Sequence, residues 1–180
     1  MILLSVGTQL PFDRLVRTVD HWAAATARAD VVAQIGPTEF RPAAMSSFAH
    51  IPYGHFRTLQ QQCDLMVCHA GMGSIITAME FGKPIIIMPR DHRLGEHRNA
   101  HQFATLRAFG DRPGIYPAEN EAQLVDLLDR ADELVAFPSL SASAASGFVQ
   151  QLADLVHVPS KQHAGSRLRR WLFTRRARSL

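Results

Sequence analysis

Cysteine, long apolar runs and an N-terminal basic segment are all scarce or missing in this sequence. Its two cysteines, Cys63 and Cys68, exclude a disulfide framework and a Cys-x-x-Cys metal motif. No apolar run approaches the ~20 residues that span a bilayer. The first residues carry no basic group, and Asp13 follows too early for a signal peptide. We therefore expect a cytoplasmic protein whose two thiols are free and buried.

Acidic residues are missing from the last 20 positions of the chain. Residues 161–180 carry seven Lys and Arg residues, whereas residues 1–160 carry 12 basic and 16 acidic residues. The net charge of +3 therefore belongs to a basic tail on a mildly acidic body, which disfavours a nucleic-acid clamp. The remaining composition, with 47% hydrophobic and 19% charged residues, is that of one globular domain.

Short apolar runs alternate with segments of helical periodicity along the body. Strands are predicted at Ile2–Val6, Val31–Ile35, Phe48–Ile51, Leu65–Cys68, Ile85–Met88 and Ile115–Tyr116. Helices are predicted at Phe12–Ala29, Phe56–Gln62, Ser74–Phe81, His97–Phe109, Glu121–Arg130 and about 143–156. Fully apolar strands separated by helices favour an α/β, doubly wound parallel sheet of Rossmann-like type. We assign residues 1–158 to this domain and residues 159–180 to the tail.

Two glycine-containing segments follow predicted strands, at the edge where such sheets bind ligands. Gly7 and Thr8, after the first strand, let the backbone approach a ligand or form only a tight turn. Residues 69–74, HAGMGS, enter a helix that Ser74 can cap. The start of that helix supplies free N–H groups and a partial positive charge, which suit a phosphate. The alternative is a plain helix start with small residues for packing.

A polar stretch from Arg90 to Gln102 follows the most apolar strand. Its Arg, Glu, Asn and Gln side chains suit hydrogen bonds to sugar hydroxyls or a carboxylate, and the alternative is a solvated loop. His97 and His101 lie four residues apart on the predicted helix. With His92 they suggest a metal site only weakly, because the Glu of the zinc-protease motif is missing between them.

Residues 69–89, HAGMGSIITAMEFGKPIIIMP, and residues 95–102, GEHRNAHQ, together resemble the donor-binding C-terminal domain of glycosyltransferase family 28. That domain is one half of a GT-B fold. The VGT at 6–8 and the QIG at 34–36 agree with the resemblance, which covers about residues 1–155. The similarity is greatest to single-domain bacterial exopolysaccharide members and to the small subunit of the dolichol-linked N-acetylglucosaminyltransferase.

The resemblance implies a role for each part of the site. A UDP-sugar diphosphate would contact Gly7, Thr8, Gly71, Met72, Gly73 and Ser74. The donor sugar would contact Glu96, Arg98, Asn99 and Gln102. Thr77 stands where the family often has an acidic ribose ligand, so ribose binding is weaker or made differently here, and Glu80 is not expected to replace it. Tyr53 and Phe56 would lie beside the uracil, unless they belong to the core.

A complete enzyme of this fold has two such domains, and this chain has the length of one. The resemblance thus implies the donor-binding subunit of an inverting UDP-sugar glycosyltransferase, transferring a hexosyl or glucuronosyl group to a lipid-linked acceptor in exopolysaccharide or glycan assembly. A membrane-anchored partner would bind the acceptor and hold the catalytic base, for which we name no residue here. No cofactor or metal is expected.

The tail and two other classes of function complete the expectations. Leu168, Trp171 and Leu172 share one face of a basic helical pattern, which would lie on an anionic membrane at the cytoplasmic side or on the partner. The alternative is a disordered tail. A non-catalytic nucleotide-sugar-binding or scaffold subunit is the competing function. An NAD-binding domain is disfavoured because no complete GxGxxG follows the first strand.

Overall fold

Six strands form one parallel sheet in a computed structural model of the chain, which describes residues 1–137. In chain order they are β1 Ile2–Ser5, β2 Val31–Gln34, β3 Ser46–Phe48, β4 Leu65–His69, β5 Ile85–Met88 and β6 Ile115–Pro117. Across the sheet the order is β3-β2-β1-β4-β5-β6, so the direction of winding reverses between β1 and β4. The helices are α1 Asp13–Ala25, α2 Tyr53–Gln62, α3 Met72–Glu80, α4 His101–Phe109 and α5 Glu121–Asp129.

The central strands are buried on both faces, which explains why they read as continuous apolar runs. Leu3 and Leu4 of β1 are fully buried, and so are all four residues of β5. Helix α1 packs against the sheet through residues spaced three or four apart. These are Leu15, Val16, Val19, Trp22 and Ala23. The predicted α/β class and doubly wound parallel sheet are therefore confirmed.

Several predicted boundaries are wrong by a turn or a few residues. Helix α4 begins at His101 and not at His97: a 3-10 turn ends at Gly95, whose φ of 74° lies in the left-handed region, and residues 96–100 form bends before the helix starts. Helix α3 begins at Met72 with Gly71 as its N-cap, so Ser74 is the third helical residue and does not cap the helix. Strand β3 ends at Phe48, where the predicted strand began.

Helix α3, predicted to end at Phe81, ends at Glu80 and is closed by Gly82. Gly82 has a φ of 60°, which a residue with a side chain rarely adopts. Its N–H donates to the Met79 carbonyl at 3.2 Å, and the Lys83 N–H donates to the Ala78 carbonyl at 2.8 Å. This pair of bonds is the Schellman pattern, which satisfies the last carbonyls of a helix.

The chain beyond residue 137 includes two of the predictions. The helix at about 143–156 and the basic tail at 159–180 both lie outside the described residues. Their boundary at residue 158 stays a prediction. Within residues 1–137, no helix is both long enough and apolar enough to cross a membrane.

Candidate functional site

A cavity of about 290 Å³ opens at the carboxyl edge of the sheet, where β1, β4 and β5 end. Its lining residues are Val6, Thr8, Gln9, Leu10, His69, Arg90, His97 and Gln102. The winding of the sheet reverses between β1 and β4, and open α/β sheets bind ligands at such a point. The fold thus brings together Thr8 and Gln102, two predicted site residues from distant parts of the sequence.

The start of helix α3 offers unpaired backbone donors beside this cavity. Gly71 is extended, and its carbonyl accepts from the amides of Ser74 and Ile75 at 3.2 and 3.3 Å. The amides of Met72 and Gly73 donate to none of the residues that the structure describes. A Cβ placed on Gly73 would meet nothing within 4 Å, so this part of the turn faces open space. Free amides at a helix N-terminus are the donors that an anion requires.

His69, the last residue of β4, lies between the two glycine segments. A Cβ on Gly7 would come within 3.2 Å of its Cε1 atom, and a Cβ on Gly71 would collide with its Nε2 atom. Its Nδ1 atom is buried and has no hydrogen-bond partner in residues 1–137. Burial first, and then the nearby Arg90 charge, lower the pKa of His69 to about 4. The imidazole is therefore neutral at pH 7.

His69 is the first residue of the HAGMGS motif, but no role is predicted for it from the sequence. The available signal was a polar residue at the end of an apolar strand, LMVCH. Its importance comes from close contact with two glycines that are 64 residues apart, and local sequence does not show that contact.

Arg90 is a buried cation that closes one wall of the cavity. It is 3% exposed, and its Nη2 atom donates to the carbonyls of Val6 and Leu10 at 2.7 and 2.8 Å. Its Nη1 atom donates to the carbonyls of Pro11 and Glu96, at 2.5 and 3.2 Å. Three of these bonds fix the loop between β1 and α1, and the fourth ties it to the loop after β5. Burial lowers the pKa of Arg90.

Glu96 and Gln102, both predicted to contact the donor sugar, already make internal contacts. Both Glu96 oxygens accept from Arg14 at 2.9 Å, and Oε2 also accepts from the Asp91 amide at 2.8 Å. The Gln102 Oε1 atom accepts from the Arg90 amide at 3.0 Å, and its side chain lines the cavity. Glu96 therefore anchors the loop after β5 to α1, while Gln102 reaches the cavity. Their roles toward a sugar stay predictions.

Asn99 and Arg98 lie on the exposed loop before α4. The Asn99 Oδ1 atom accepts from the His101 amide at 3.2 Å, so Asn99 helps to start that helix. The Asn99 amide in turn donates to His97 Nδ1 at 3.3 Å. The prediction that His97 and His101 lie on one helix is wrong, because His97 lies outside α4. Within residues 1–137, no group of three or more His, Cys, Asp or Glu side chains is placed to hold a metal ion.

The residues predicted for ribose and uracil are split between two helices. The Thr77 hydroxyl donates to the Gly73 carbonyl at 2.9 Å, in the first turns of α3. Glu80 is paired with Arg57 at 2.5 Å. Tyr53 and Phe56 lie in the first turn of α2 rather than before that helix. Tyr53 is 77% exposed and Phe56 is half-buried, so the core alternative does not hold for Tyr53.

The two cysteines are free and buried, as predicted. Burial raises the pKa of Cys63 to about 11 and that of Cys68 to about 12. Neither thiol is a nucleophile at neutral pH.

A parallel sheet whose winding reverses beside an open helix start has the architecture of α/β domains that bind nucleotides. Comparison with known proteins makes this specific, because residues 1–157 match the glycosyltransferase family 28 C-terminal domain. The chain belongs to this family, which confirms the resemblance drawn from its motifs. No curated protein sequence matches it.

Two solved structures show the same fold. The solution structure of ALG13 is 16% identical with a TM-score of 0.59, and the match covers 84% of this chain and 93% of that one. The glycotransferase of kitacinnamycin is 20% identical with a TM-score of 0.53, and the match covers 86% of this chain and 42% of that one. The chain thus spans most of one relative and less than half of the other. It has the Rossmann-like fold of one half of a GT-B glycosyltransferase.

Proposed function

We propose that this domain binds the donor of an inverting UDP-sugar glycosyltransferase. The observation that carries the proposal is the cavity where β1, β4 and β5 end. The neutral His69 and the buried Arg90 line it, and the unpaired amides of Met72 and Gly73 follow His69 along the chain at the start of α3. The acidic side chain of Glu96 is held by Arg14, so its charge is compensated. This arrangement favours a ligand with negative charge, such as a diphosphate.

The same groups suit the charge that develops during sugar transfer. As the acceptor oxygen attacks the anomeric carbon, the bond to the diphosphate breaks and that leaving group gains negative charge. Amides at a helix start and a fixed cation stabilise such charge without reorganising. The proton of the acceptor hydroxyl must go to a general base. In our proposal that base belongs to a partner subunit.

The partner, acceptor and pathway follow from the sequence resemblance. We propose a membrane-anchored, acceptor-binding partner, a lipid-linked glycan acceptor, and transfer of a hexosyl or glucuronosyl group in exopolysaccharide or glycan assembly at the cytoplasmic membrane face. Residues 159–180 would hold the protein there. Deleting residues 160–180 should then abolish co-sedimentation with anionic vesicles and with the partner. Unchanged recovery of both would refute this role of the tail.

Calorimetry on the full chain tests donor binding. UDP, UDP-glucuronate and UDP-GlcNAc should bind, and NAD should not. Gly73→Glu places a carboxylate at the open start of α3, where it stabilises the helix but repels a diphosphate. Gly73→Gln adds similar bulk without charge. At surface dielectrics the charge costs about 1–4 kcal/mol, so Gly73→Glu should bind UDP at least ~5-fold more weakly than Gly73→Gln. No UDP binding by the unmodified protein at millimolar concentration would refute the proposal.

A non-catalytic nucleotide-sugar-binding or scaffold subunit is the second candidate. It is favoured by Thr77, whose hydroxyl is bonded to the Gly73 carbonyl where an acidic ribose ligand is expected. A transfer assay separates the two candidates. If UDP binds but the protein adds nothing to transfer by its membrane partner, the scaffold function is correct.

A further inference from the structure

Gln34, the last residue of β2, makes four hydrogen bonds although it is only 4% exposed. Its Oε1 atom accepts from the Ser5 hydroxyl at 2.9 Å and from the Gly7 amide at 3.0 Å. Its Nε2 atom donates to the Gly7 carbonyl at 3.0 Å and to the Ala49 carbonyl at 3.1 Å. Every donor and both acceptor positions of the amide are therefore used. The amide has one orientation, since a flip would turn its NH2 group toward the Gly7 N–H and its oxygen toward the Gly7 and Ala49 carbonyls.

The residue that Gln34 holds most firmly is Gly7. Both the N–H and the carbonyl of Gly7 bond to Gln34, and its φ of 79° lies in the left-handed region. Two further contacts restrict this glycine. His69 approaches from one side, and a Cβ on Gly36 would come within 2.9 Å of the Gly7 carbonyl. Gln34 thus sets the direction of the backbone next to Thr8, which lines the cavity.

The fourth bond extends this control to a second segment. Ala49 follows β3 and lies four residues before Tyr53, where α2 begins. Its carbonyl is held by the same amide group that holds Gly7. One buried side chain therefore connects the loop after β1 to the segment that leads into α2.

We propose that Gln34 is a positioning residue of the donor site. It acts through Gly7 and Ala49, and it fixes the phosphate end of the site relative to the start of α2 without touching the ligand. The inference rests on the proposed function. A glutamine that merely filled the core would need no bond to both polar groups of one glycine.

Two substitutions at residue 34 test this in the full chain. Gln34→Met keeps the length and removes all four bonds. Gln34→Glu at high pH presents a carboxylate to the Gly7 and Ala49 carbonyls, and burial raises the pKa of such a carboxyl group. At low pH its protonated form restores both acceptor bonds and one donor bond. Gln60→Glu is the matched control, because Gln60 is also buried but lies near the end of α2, at the opposite edge of the sheet.

The measurement is the UDP dissociation constant by calorimetry at pH 5.5 and pH 8, well below each melting temperature. Both variants should bind about tenfold or more weakly at pH 8 with a stoichiometry near one. The UDP dissociation constant of Gln34→Glu, divided by that of the unmodified protein, should be at least threefold smaller at pH 5.5 than at pH 8. The same ratio for Gln34→Met should not change with pH. Titration of UDP and His69 is common to all the proteins compared and cancels in these ratios.

The possible failures are distinguishable. If the unmodified protein does not bind UDP, the proposed function fails and this inference fails with it. If the unmodified protein binds UDP, and both variants melt lower but keep its dissociation constant, Gln34 is only structural and the inference is wrong. A Gln60→Glu variant with the same pH-dependent loss would also refute it.

Discussion

The Arg14–Glu96 pair gives a quantitative test of how the loop after β5 is held. Two N–O contacts of 2.9 Å join the side chains, which are 16% and 11% exposed. Exposed pairs contribute about 0–1 kcal/mol, whereas breaking a buried pair costs about 3–5 kcal/mol. This partly buried pair lies between those limits. We expect Glu96→Gln and Arg14→Met each to lower the free energy of unfolding by ~2 kcal/mol, or ~4–8 °C in Tm.

A double-mutant cycle isolates the interaction from the other contacts of each residue. Urea unfolding of the two single variants and the double variant should give a coupling of about 1–2 kcal/mol. Raising the salt concentration should weaken it only slightly, because the pair is shielded from solvent. A coupling below about 0.5 kcal/mol would show that the side chains act independently and would refute this account.

The same variants decide what Glu96 does for a ligand. If Glu96 only anchors the loop, both single variants weaken UDP-sugar binding equally and the double variant is no worse. If Glu96 also contacts the sugar, Glu96→Gln weakens UDP-sugar binding more than UDP binding, and Arg14→Met leaves that ratio unchanged.

Two further predictions concern stability. The pKa of His69 falls from 6.5 to about 4, so the stability it contributes is present above about pH 6.5 and is lost as the pH falls toward 4. Denaturant titrations at pH 7 and 4.5 should show a loss of up to ~3 kcal/mol that His69→Asn removes; an equal loss in that variant would contradict the assignment. Gly36→Ala, with φ of 65° and its Cβ 2.9 Å from the Gly7 carbonyl, should cost ~2 kcal/mol or more. Gly54→Ala, in an open position of α2, should instead gain ~0.5–1 kcal/mol, and a similar loss in both would refute the steric argument.

The sheet could be predicted from the sequence because its strands are buried on both faces and therefore continuously apolar. Ile85–Met88 is predicted and observed with the same bounds. Helix starts were harder, because they depend on backbone turns rather than on periodicity. The prediction that α4 starts at His97 is wrong, because a turn closed by Gly95 and a non-helical segment come before His101. Apart from the glycine itself, the sequence does not indicate the left-handed conformation of Gly95.

The candidate site was predictable only where a local motif carries the chemistry. The open start of α3 follows from its two glycines. The Arg90 bonds to the loop after β1 join residues about 80 positions apart, as does the Arg14–Glu96 pair. Such partners are brought together by the order of the strands and are invisible in a single sequence. For the same reason Glu96 was predicted as a sugar ligand without its internal partner.

The central position of β1 has a consequence for how the chain is made. Strand β1 pairs with β2 on one side and with β4 on the other. During synthesis its first neighbour is complete at residue 34, but its second is complete only at residue 69. Over that interval Leu3 and Leu4, which are fully buried in the finished fold, belong to a strand with an open edge. Nascent chains and fragments that end before β4 should therefore self-associate or recruit chaperones, whereas chains that extend through β4 should not.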